Sequence, residues 1–202
     1  MKYPREIDMR ICIFGAASAH IDDIYIKKTE ELAEMLARRG HSLVFGAGAT
    51  GLMGAAARGF KKGGGHIRGV IPHFFREESV ELIYEDCDEI TYTETMSERK
   101  RIMEDGCDAF IITPGGIGTF EEFFEVLTLK QLGRHNKAIA IFNIENYYDE
   151  MEKFMQEVYK RKFINFKCYE MYSYFYDAGK LCDYLENYAP SETPWQKLKT
   201  GD

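Results

Sequence analysis

Short runs of β-branched and aromatic residues alternate along the chain with longer segments in which apolar residues recur every three or four positions. The short runs predict strands at residues 10–16, 42–45, 66–72, 89–93, 109–113 and 137–143. The longer segments predict helices at residues 22–39, 52–62, 95–105, 120–132 and 147–162, then a short strand and a helix near 178–188. Strands that alternate with helices favour crossover connections. We therefore predict one α/β domain over residues 1–190 with a doubly wound parallel sheet, an irregular acidic stretch at 73–88, and a polar tail at 191–202.

The composition is that of a globular protein, because 45% of the residues are hydrophobic and 29% are charged. The chain has 26 basic and 33 acidic residues, a net charge of −7, which argues against a surface that binds nucleic acid over its whole extent. No apolar stretch is long enough to span a bilayer, and the N-terminus lacks the apolar region of a signal peptide. We expect a cytoplasmic protein without a membrane or nucleic-acid partner.

The cysteines and histidines point to packing rather than to chemistry. Five widely spaced cysteines, without a C-x-x-C motif, predict reduced thiols that lie mostly in the core. Cys12 on a strand and Cys182 on a helix are the clearest core candidates. The five histidines lack the spacing of metal ligands, so we expect no metal site.

A first glycine-rich turn follows the second predicted strand, where Gly46, Gly48 and Gly51 have the spacing G-x-G-x-x-G. This spacing resembles the dinucleotide fingerprint, but it does not follow the first strand and has no acidic residue about twenty positions later. The chain also has no P-loop motif, so NAD and ATP are disfavoured and we expect no cofactor. Two interpretations stay open for this turn, namely a site for a compact phosphate and a tight turn with close helix–sheet packing.

A second glycine-rich turn, PGGIGTFEE at residues 114–122, follows the apolar strand 109–113. Its glycines and the start of the next helix favour an anion site. Glu122 has two interpretations: it forms a capping box with Thr119, or it is a carboxylate that stabilises developing positive charge, as in the cleavage of a glycosidic bond. Glu121 lies about 100° around the helix from Glu122, so the two carboxylates cannot face one pocket equally.

A cluster of cations at residues 97–101 (SERKR) lies on a predicted helix of this otherwise acidic chain. The cluster is either a solvated charged face or part of a site. Met96, Arg99 and Met103 share one helix face, so Arg99 lies on an apolar side. A guanidinium there needs an anionic partner, either a ligand or Glu122.

Taken in order and spacing, these motifs resemble the LONELY GUY (LOG) family of cytokinin riboside 5′-monophosphate phosphoribohydrolases. The resemblance covers about residues 10–190, and it is carried by FGAGATGLMG at 45–54, GVIP at 69–72, MSERK at 96–100, PGGIGTFEE at 114–122, QLGRHNK at 131–137 and NYY at 146–148. It implies a Rossmann-like homodimer that hydrolyses AMP or an N6-modified AMP to the free base and ribose 5-phosphate. The alternative is a non-catalytic nucleotide-binding protein or molybdenum-cofactor carrier of the same superfamily.

The resemblance also implies roles for individual residues. Arg99 and Glu122 correspond to the catalytic pair of the family. The implied substrate and phosphate contacts are Gly46, Gly48, Gly51, Met96, Lys100, Gly115, Gly116, Gly118 and Thr119, with Ser18 and Glu121 as further candidates. The chain departs from the family pattern at Ala47, where a third glycine is usual, and at Ser97. A homodimer is also favoured by the Met96/Met103 stripe and by the small residues at 55–57, which suit close contact between helices.

Overall fold

The computed structural model describes residues 8–79 and 81–190. The predicted polar tail at 191–202 lies outside these residues, as does most of the N-terminal segment considered for a signal peptide. The boundary between domain and tail therefore stays a prediction.

Within the described residues, seven parallel strands form one sheet in the order β4-β3-β2-β1-β5-β6-β7. They are β1 (Arg10–Phe14), β2 (Ser42–Phe45), β3 (Ile67–Pro72), β4 (Glu89–Thr93), β5 (Ala109–Ile112), β6 (Ala138–Phe142) and β7 (Ser173–Phe175). The central strands are buried along most of their length, as their apolar sequences require in a sheet covered on both faces. The predicted parallel sheet is confirmed.

In the part of the chain that the structure describes, seven α-helices connect or follow these strands. They are α1 (Asp23–Arg38), α2 (Gly51–Gly63), α3 (His73–Glu77), α4 (Met96–Asp105), α5 (Ile117–Gln131), α6 (Asp149–Lys160) and α7 (Ala178–Glu186). Two 3-10 helices, Ile144–Asn146 and Phe166–Met171, lie on either side of α6. Most predicted bounds are correct to within two residues. The short α3 lies in the stretch predicted as irregular, and α5 begins three residues earlier than predicted.

The helices pack on both faces of the sheet. One core joins the sheet to α1, α2 and α7, with Leu36, Phe60 and Leu181 among its buried side chains. The other joins it to α4 and α5, through Met103 and Phe123. The fold is therefore the doubly wound α/β domain that the sequence predicts. Four cysteines are buried, Cys87 is half-buried, and none of the five is in a disulfide, which confirms the core assignment of these thiols.

Small residues bring α1 and α2 close together within the chain. A methyl group added to Gly59 would lie 2.6 Å from Ala33 Cβ, and one added to Gly63 would lie 2.5 Å from Ala37 Cβ. The alanines at 55–57 are fully buried in the same way. The expectation that this small-residue stretch offers a contact to a second subunit is therefore wrong, because its surface is already used inside the domain.

The connection order places a crevice at the carboxyl ends of β1 and β5. The chain runs outward from β1 to β4 on one side and from β5 to β7 on the other, so the loops after these two central strands diverge. Ligands of open α/β sheets bind at such a switch point. The loops touch there, since Ala16 N–H donates to the Pro114 carbonyl at 3.1 Å. Both glycine-rich turns lie at this edge.

Candidate active site

The first glycine-rich turn, between β2 and α2, is a packing device. Gly51 has φ +58°, and a methyl group there would lie 2.3 Å from the Ala16 carbonyl oxygen. The second and third amides of α2 are also occupied, because the N–H groups of Leu52 and Met53 donate to that same carbonyl at 2.7 and 3.3 Å. These two amides are therefore not available to a phosphate. Of the two interpretations that the sequence leaves open for this turn, close packing is the one that the structure supports.

At Gly46, the first residue of the same turn, the backbone makes room for the guanidinium of Arg99. A methyl group added to Gly46 would lie 1.6 Å from Arg99 Nη2. Arg99 is thus in direct contact with the turn, and its Nε donates to the Val70 carbonyl at 3.1 Å. The ring of Phe75 lies 5.8 Å from the guanidinium carbon. The absence of a side chain at Gly46 therefore leaves the space that the Arg99 guanidinium occupies.

The second glycine-rich turn, between β5 and α5, is open. A methyl group added to Gly116 or Gly118 would meet no atom within 4 Å among the described residues. Gly116 caps α5, and no side chain bonds to the helix start from the capping position. The N–H groups of the first turn of a helix have no acceptor within the helix. Such a helix start favours an anion.

The capping-box interpretation of Glu122 is wrong. Because α5 begins at Ile117, Thr119 is the third helical residue and Glu122 lies one further turn inside the helix. Thr119 instead packs against Gly115, where a methyl group would lie 2.1 Å from the threonine Oγ1. Glu122 is thus free of any capping role.

Two tyrosines hold the second turn in place. Tyr147 donates its hydroxyl to the Gly115 carbonyl and Tyr148 donates to the Thr113 carbonyl, both at 2.8 Å. A largely apolar cavity of about 180 Å³ lies beside the turn, between Tyr25 and Tyr147, and its lining includes Ser18, Gly115 and Gly116. Ser18 therefore lies at the same sheet edge, at the mouth of the loop after β1.

Arg99 and Glu122 come together below the open helix start. Arg99 Nη1 lies 3.8 Å from Glu122 Oε1, and the two side chains are 5% and 13% exposed. Sequence spacing predicts both that Arg99 lies on the apolar side of α4 and that Glu122 can be its partner, and the structure bears out both. Burial raises the pKa of Glu122 to about 7, against the opposing charge of Arg99. Near neutral pH this carboxyl group exists in both protonation states.

The remaining predicted candidates lie around this pair. Lys100 forms ion pairs with Glu121 and, at 2.7 Å, with Glu125. Met96 is partly exposed at the start of α4. Glu121 is thus turned away from Glu122, as the helical angle between them predicts.

Glu81 lies beside the candidate site, although its sequence position does not predict this. The loop after α3 pairs with the first glycine-rich turn. Ala49 N–H donates to the Leu82 carbonyl and Tyr84 N–H donates to the Ala47 carbonyl, each at 2.8 Å. As a result, Glu81 lies against Gly48, and a methyl group added to Gly48 would be 2.9 Å from Glu81 Oε1. This oxygen is buried without a hydrogen-bond partner among the described residues, and burial raises the pKa of Glu81 while Arg99 opposes the shift. In the sequence, Glu81 is one of several carboxylates in an acidic loop, and nothing there predicts that it lies near Arg99.

The buried Lys130 lies at the other end of α5 from Glu122. Its ammonium donates to the carbonyls of Lys137 and Met171 at 2.8 Å and to the Tyr188 hydroxyl at 2.9 Å. Burial lowers the pKa of Lys130 to about 8. These contacts join α5 to β6 and to the C-terminal part of the domain, which is a structural role.

Metal and membrane signals are absent from the part of the chain that the structure describes. Residues 8–79 and 81–190 contain no group of three or more His, Cys, Asp or Glu side chains arranged to hold a metal ion. Over the same residues, no helix is both long enough and apolar enough to cross a bilayer.

Solved structures with the same architecture define the class of fold. The molybdenum cofactor carrier protein of Chlamydomonas reinhardtii matches with a TM-score of 0.68 and 21% identity, over 89% of this chain and 96% of that chain. The molybdenum cofactor binding protein of Rippkaea orientalis matches with a TM-score of 0.68 and 17% identity over the same shares. At such identities the likeness concerns the fold alone. The chain is a Rossmann-like parallel α/β protein.

Sequence comparison then identifies the family. The model of a family described as "Possible lysine decarboxylase" matches residues 53–185. The cytokinin riboside 5′-monophosphate phosphoribohydrolase LOG2 of Arabidopsis thaliana is 35% identical over 181 residues, which cover 90% of this chain and 84% of the relative. A second relative, the probable cytokinin riboside 5′-monophosphate phosphoribohydrolase LOGL3 of Oryza sativa subsp. japonica, is 36% identical over 90% of this chain and 85% of the relative. The chain belongs to this family, the LOG family, and the resemblance seen in its motifs is confirmed.

Proposed function

We propose that the protein hydrolyses the N-glycosidic bond of a nucleoside 5′-monophosphate, AMP or an N6-modified AMP, to the free base and ribose 5-phosphate. The observation that carries this proposal is the buried Arg99–Glu122 pair directly below the open start of α5. The names of the curated relatives, cytokinin riboside 5′-monophosphate phosphoribohydrolases, support the same reaction.

The substrate phosphate is held at the start of α5. The amides of the first turn and the open space at Gly116 and Gly118 suit an anion that approaches the backbone closely. Because the phosphate is fixed, the ribose is held at a set distance from Glu122 one to two turns into the helix. An unphosphorylated nucleoside lacks this anchor and is a poor substrate.

The reaction breaks the bond between C1′ and the base nitrogen. Water supplies the hydroxyl group that bonds to C1′, and its proton ends on the base. As the bond stretches, the sugar gains oxocarbenium character, which the Glu122 carboxylate stabilises. The same carboxylate orients the attacking water. Since the pKa of Glu122 is about 7 and the carboxylate is the active form, kcat/KM rises with pH up to about 7 and then levels off.

Arg99 and Glu81 complete the site in supporting roles. Arg99 faces Glu122 and limits the rise of its pKa, which keeps part of the carboxyl group ionised at neutral pH. Glu81 Oε1, which has no hydrogen-bond partner among residues 8–79 and 81–190, is an acceptor for a substrate hydroxyl or amine. Arg99 is buried and Glu81 is half-buried beside the first turn, so they help to exclude water from one side of the substrate.

A carrier of an anionic cofactor is the alternative that the sequence leaves open. A carrier needs the open start of α5, but it does not need a buried carboxyl group at C1′ with a pKa near neutrality. The likeness to the molybdenum-cofactor proteins concerns the fold and favours neither function. The Arg99–Glu122 pair therefore favours hydrolysis.

We also propose that a second copy of the chain covers the site. Ile117 is 90% exposed at the start of α5, and Phe124, seven residues later on the same helix face, is also exposed. Met96 on α4 and Leu82 in the loop beside Glu81 add further exposed apolar surface near the site. Light scattering at micromolar concentration is expected to give a dimer or a multiple of it. Phe124→Glu is expected to weaken both assembly and turnover, and a fully active monomer would contradict this arrangement.

Incubation of the purified protein with AMP, and separately with adenosine, tests the reaction. Chromatography is expected to detect free adenine from AMP, in a ratio of one to one with ribose 5-phosphate, and little adenine from adenosine. Equal rates on both compounds would refute the role of the phosphate. Tight binding of AMP and of an N6-modified AMP without release of base would favour the carrier.

A further inference from the structure

Helices α4 and α5 meet through two neighbouring sets of charges. The inner pair, Arg99 and Glu122, is buried and separated by 3.8 Å. The outer cluster consists of Lys100, Glu121 and Glu125, in which the lysine ammonium contacts both carboxylates. In the described part of the chain, these are the ion pairs that join the two helices.

Helix geometry explains why the two sets are separate. Arg99 and Lys100 are consecutive residues, as are Glu121 and Glu122, so each pair diverges by about 100° around its helix. Arg99 and Glu122 therefore point inward while Lys100 and Glu121 point outward. Glu125 lies four residues after Glu121, on the same face of α5, so one ammonium can reach both carboxylates.

The inner pair does not fix its own geometry. A separation of 3.8 Å is too long for a hydrogen bond. Arg99 is tied to the sheet, through Nε and the Val70 carbonyl, rather than to α5. The position of Glu122 relative to Arg99 therefore depends on how α5 packs against α4. The ion pairs of the outer cluster are close: Lys100 Nζ lies 2.7 Å from Glu125 Oε2, and its side chain is only 15% exposed.

We propose that Lys100, Glu121 and Glu125 are positioning residues that hold α5 against α4 and so keep Glu122 beside Arg99. The expected change in kcat on AMP rests on the proposed hydrolysis, whereas the expected change in the distance between Arg99 and Glu122 does not. The outer cluster acts through the inner pair and does not itself contact the substrate.

The outer cluster also sets the charge around Glu122. The titratable and charged groups that face Glu122 are Arg99 and Lys100 on α4, Glu121 and Glu125 on α5, Cys12 on β1, and Tyr148 just before α6. Glu121 and Glu125 raise the pKa of Glu122, while Lys100 lowers it. Removal of the two carboxylates and removal of the lysine charge therefore shift the titration of Glu122 in opposite directions.

The test compares Lys100→Met with the double variant Glu121→Gln/Glu125→Gln. A positioning role predicts that each lowers kcat on AMP about tenfold, because a displacement of a fraction of an ångström at the reacting centre suffices for such a loss. KM is expected to change less than threefold. The midpoint of the pH–rate profile is expected to move up in Lys100→Met and down in the double variant. Combining all three changes is expected to cost no more than Lys100→Met alone, since the contacts form one unit.

Arg101→Gln is the matched control. Arg101 lies next to Lys100 on α4, but it is 83% exposed and pairs with Asp105 on its own helix. Its loss is expected to leave kcat and the pH midpoint unchanged. A crystal structure of the double variant is expected to show Arg99 Nη1 and Glu122 Oε1 farther apart than in the parent protein.

Two results would overturn the positioning role. One is a large rise in KM for Lys100→Met with unchanged kcat in the double variant, which would mean that Lys100 binds the substrate phosphate directly. The other is an unchanged Arg99–Glu122 separation in the crystal structure of the double variant. If the parent protein releases no base from any nucleotide, the proposed function fails, and the crystal structure alone still decides whether the outer cluster positions Glu122.

Discussion

Two glycine-rich turns leave the same edge of the sheet, and their glycines serve different purposes. In the turn between β2 and α2, Gly51 adopts a left-handed conformation pressed against the backbone of the loop after β1. The Ala16 carbonyl accepts from the second and third amides of α2. The glycines of this turn allow close approach of protein to protein, and of Arg99 to Gly46.

In the turn between β5 and α5, Gly116 and Gly118 face open space, whereas Gly115 packs against Thr119. Gly116 and Gly118 have no atom within contact distance of an added methyl group among the described residues. The comparison indicates that glycine spacing is not enough for the proposed anion site, because a carbonyl from another loop already accepts from amides at the start of α2. Glycine spacing alone does not reveal that acceptor, because Ala16 is more than thirty residues away from Leu52 in sequence.

The sharpest division between the turns concerns the proposed catalytic carboxylate of Glu122, which lies on the helix that follows the second turn. Glu122→Gln removes the negative charge that faces the substrate and keeps the size of the side chain. Loss of one such interaction is expected to lower kcat on AMP by about 100-fold or more, equivalent to about 2.7 kcal/mol. Steady-state kinetics measure this, with KM expected to stay within a fewfold.

The control for this variant is Glu31→Gln, on the exposed face of α1 and away from the site. It is expected to retain parent activity. Glu121→Gln is unsuitable as a silent control, because Glu121 pairs with Lys100. If Glu122→Gln turns over AMP like the parent protein, Glu122 is not catalytic.

The second expected effect is that the same substitution stabilises the fold. Burial raises the pKa of Glu122 from 4.5 to about 7, so ionisation is more costly in the folded state than in the unfolded chain. Below pH 4.5 the carboxyl group is protonated in both states, and its full contribution to the free energy of unfolding is present. This contribution is lost as the pH rises to about 7. Above pH 7, Glu122→Gln is expected to increase the free energy of unfolding by about 3 kcal/mol, and near pH 4 by little.

Thermal unfolding of both proteins between pH 4 and pH 8 measures this difference. A gap that widens with pH and then levels off above about pH 7 is the expected result. A gap that is constant with pH would mean that the environment of Glu122 does not resist ionisation. The ionised carboxylate of Glu122, which is needed for activity, would then not lower the stability of the fold.

Much of the fold can be predicted from the sequence, because strands and helices leave local patterns. The buried strand Ala109–Ile112 is apolar throughout, and Gly40 and Gly64 mark the ends of α1 and α2. The start of α5 is predicted incorrectly, because Thr119 and Glu122 have the spacing of a capping box. The actual cap is Gly116, and the first helical residue is the exposed Ile117, which neither polarity nor periodicity marks as helical.

The site is predicted in part for the same reason. The apolar face of α4 predicts that Arg99 needs an anionic partner, either a ligand or Glu122, and the structure places Glu122 beside it. Glu81 cannot be placed, because its position follows from the pairing of its loop with the turn at Ala47–Ala49. The free and occupied helix starts also look alike in sequence, since the carbonyl that distinguishes them belongs to another loop.

A pair of glycine substitutions tests the difference between the turns directly. Gly51→Ala places an alanine in a left-handed conformation, which costs about 1–2 kcal/mol, and brings its methyl group 2.3 Å from the Ala16 carbonyl oxygen. We expect a loss of about 2 kcal/mol or more, a fall in Tm of about 4–8 °C. Gly116→Ala is expected to leave Tm nearly unchanged and to raise KM for AMP, because its methyl group enters the space assigned to the phosphate.

Differential scanning calorimetry and AMP kinetics on both variants provide the comparison. A stable Gly51→Ala protein, or a Gly116→Ala protein that unfolds early, would reverse the roles given to the two turns. Unchanged KM in Gly116→Ala would remove the phosphate from the start of α5 while leaving the packing role of Gly51 intact.

The smallest effect is expected at Ala47, the alanine that stands between two glycines of the first turn. Ala47 has φ +61°, so its replacement by glycine relieves a strain of about 1–2 kcal/mol. The substitution also removes a buried methyl group, which costs about 0.8 kcal/mol, and adds the backbone freedom of glycine to the unfolded chain. These contributions nearly cancel, so Ala47→Gly is expected to change the free energy of unfolding by less than about 1 kcal/mol.

Turnover is also expected to stay within about twofold in Ala47→Gly, because the methyl group of Ala47 faces Gly69 on β3 rather than Arg99. The control is the opposite exchange one residue earlier. Gly46→Ala places a methyl group 1.6 Å from Arg99 Nη2, so the guanidinium must leave its position beside Gly46, and turnover is expected to fall because the Arg99–Glu122 geometry changes. If Ala47→Gly lowers turnover as strongly as Gly46→Ala does, the first turn contributes to the chemistry through its backbone, and the division between a packing turn and a binding turn is wrong.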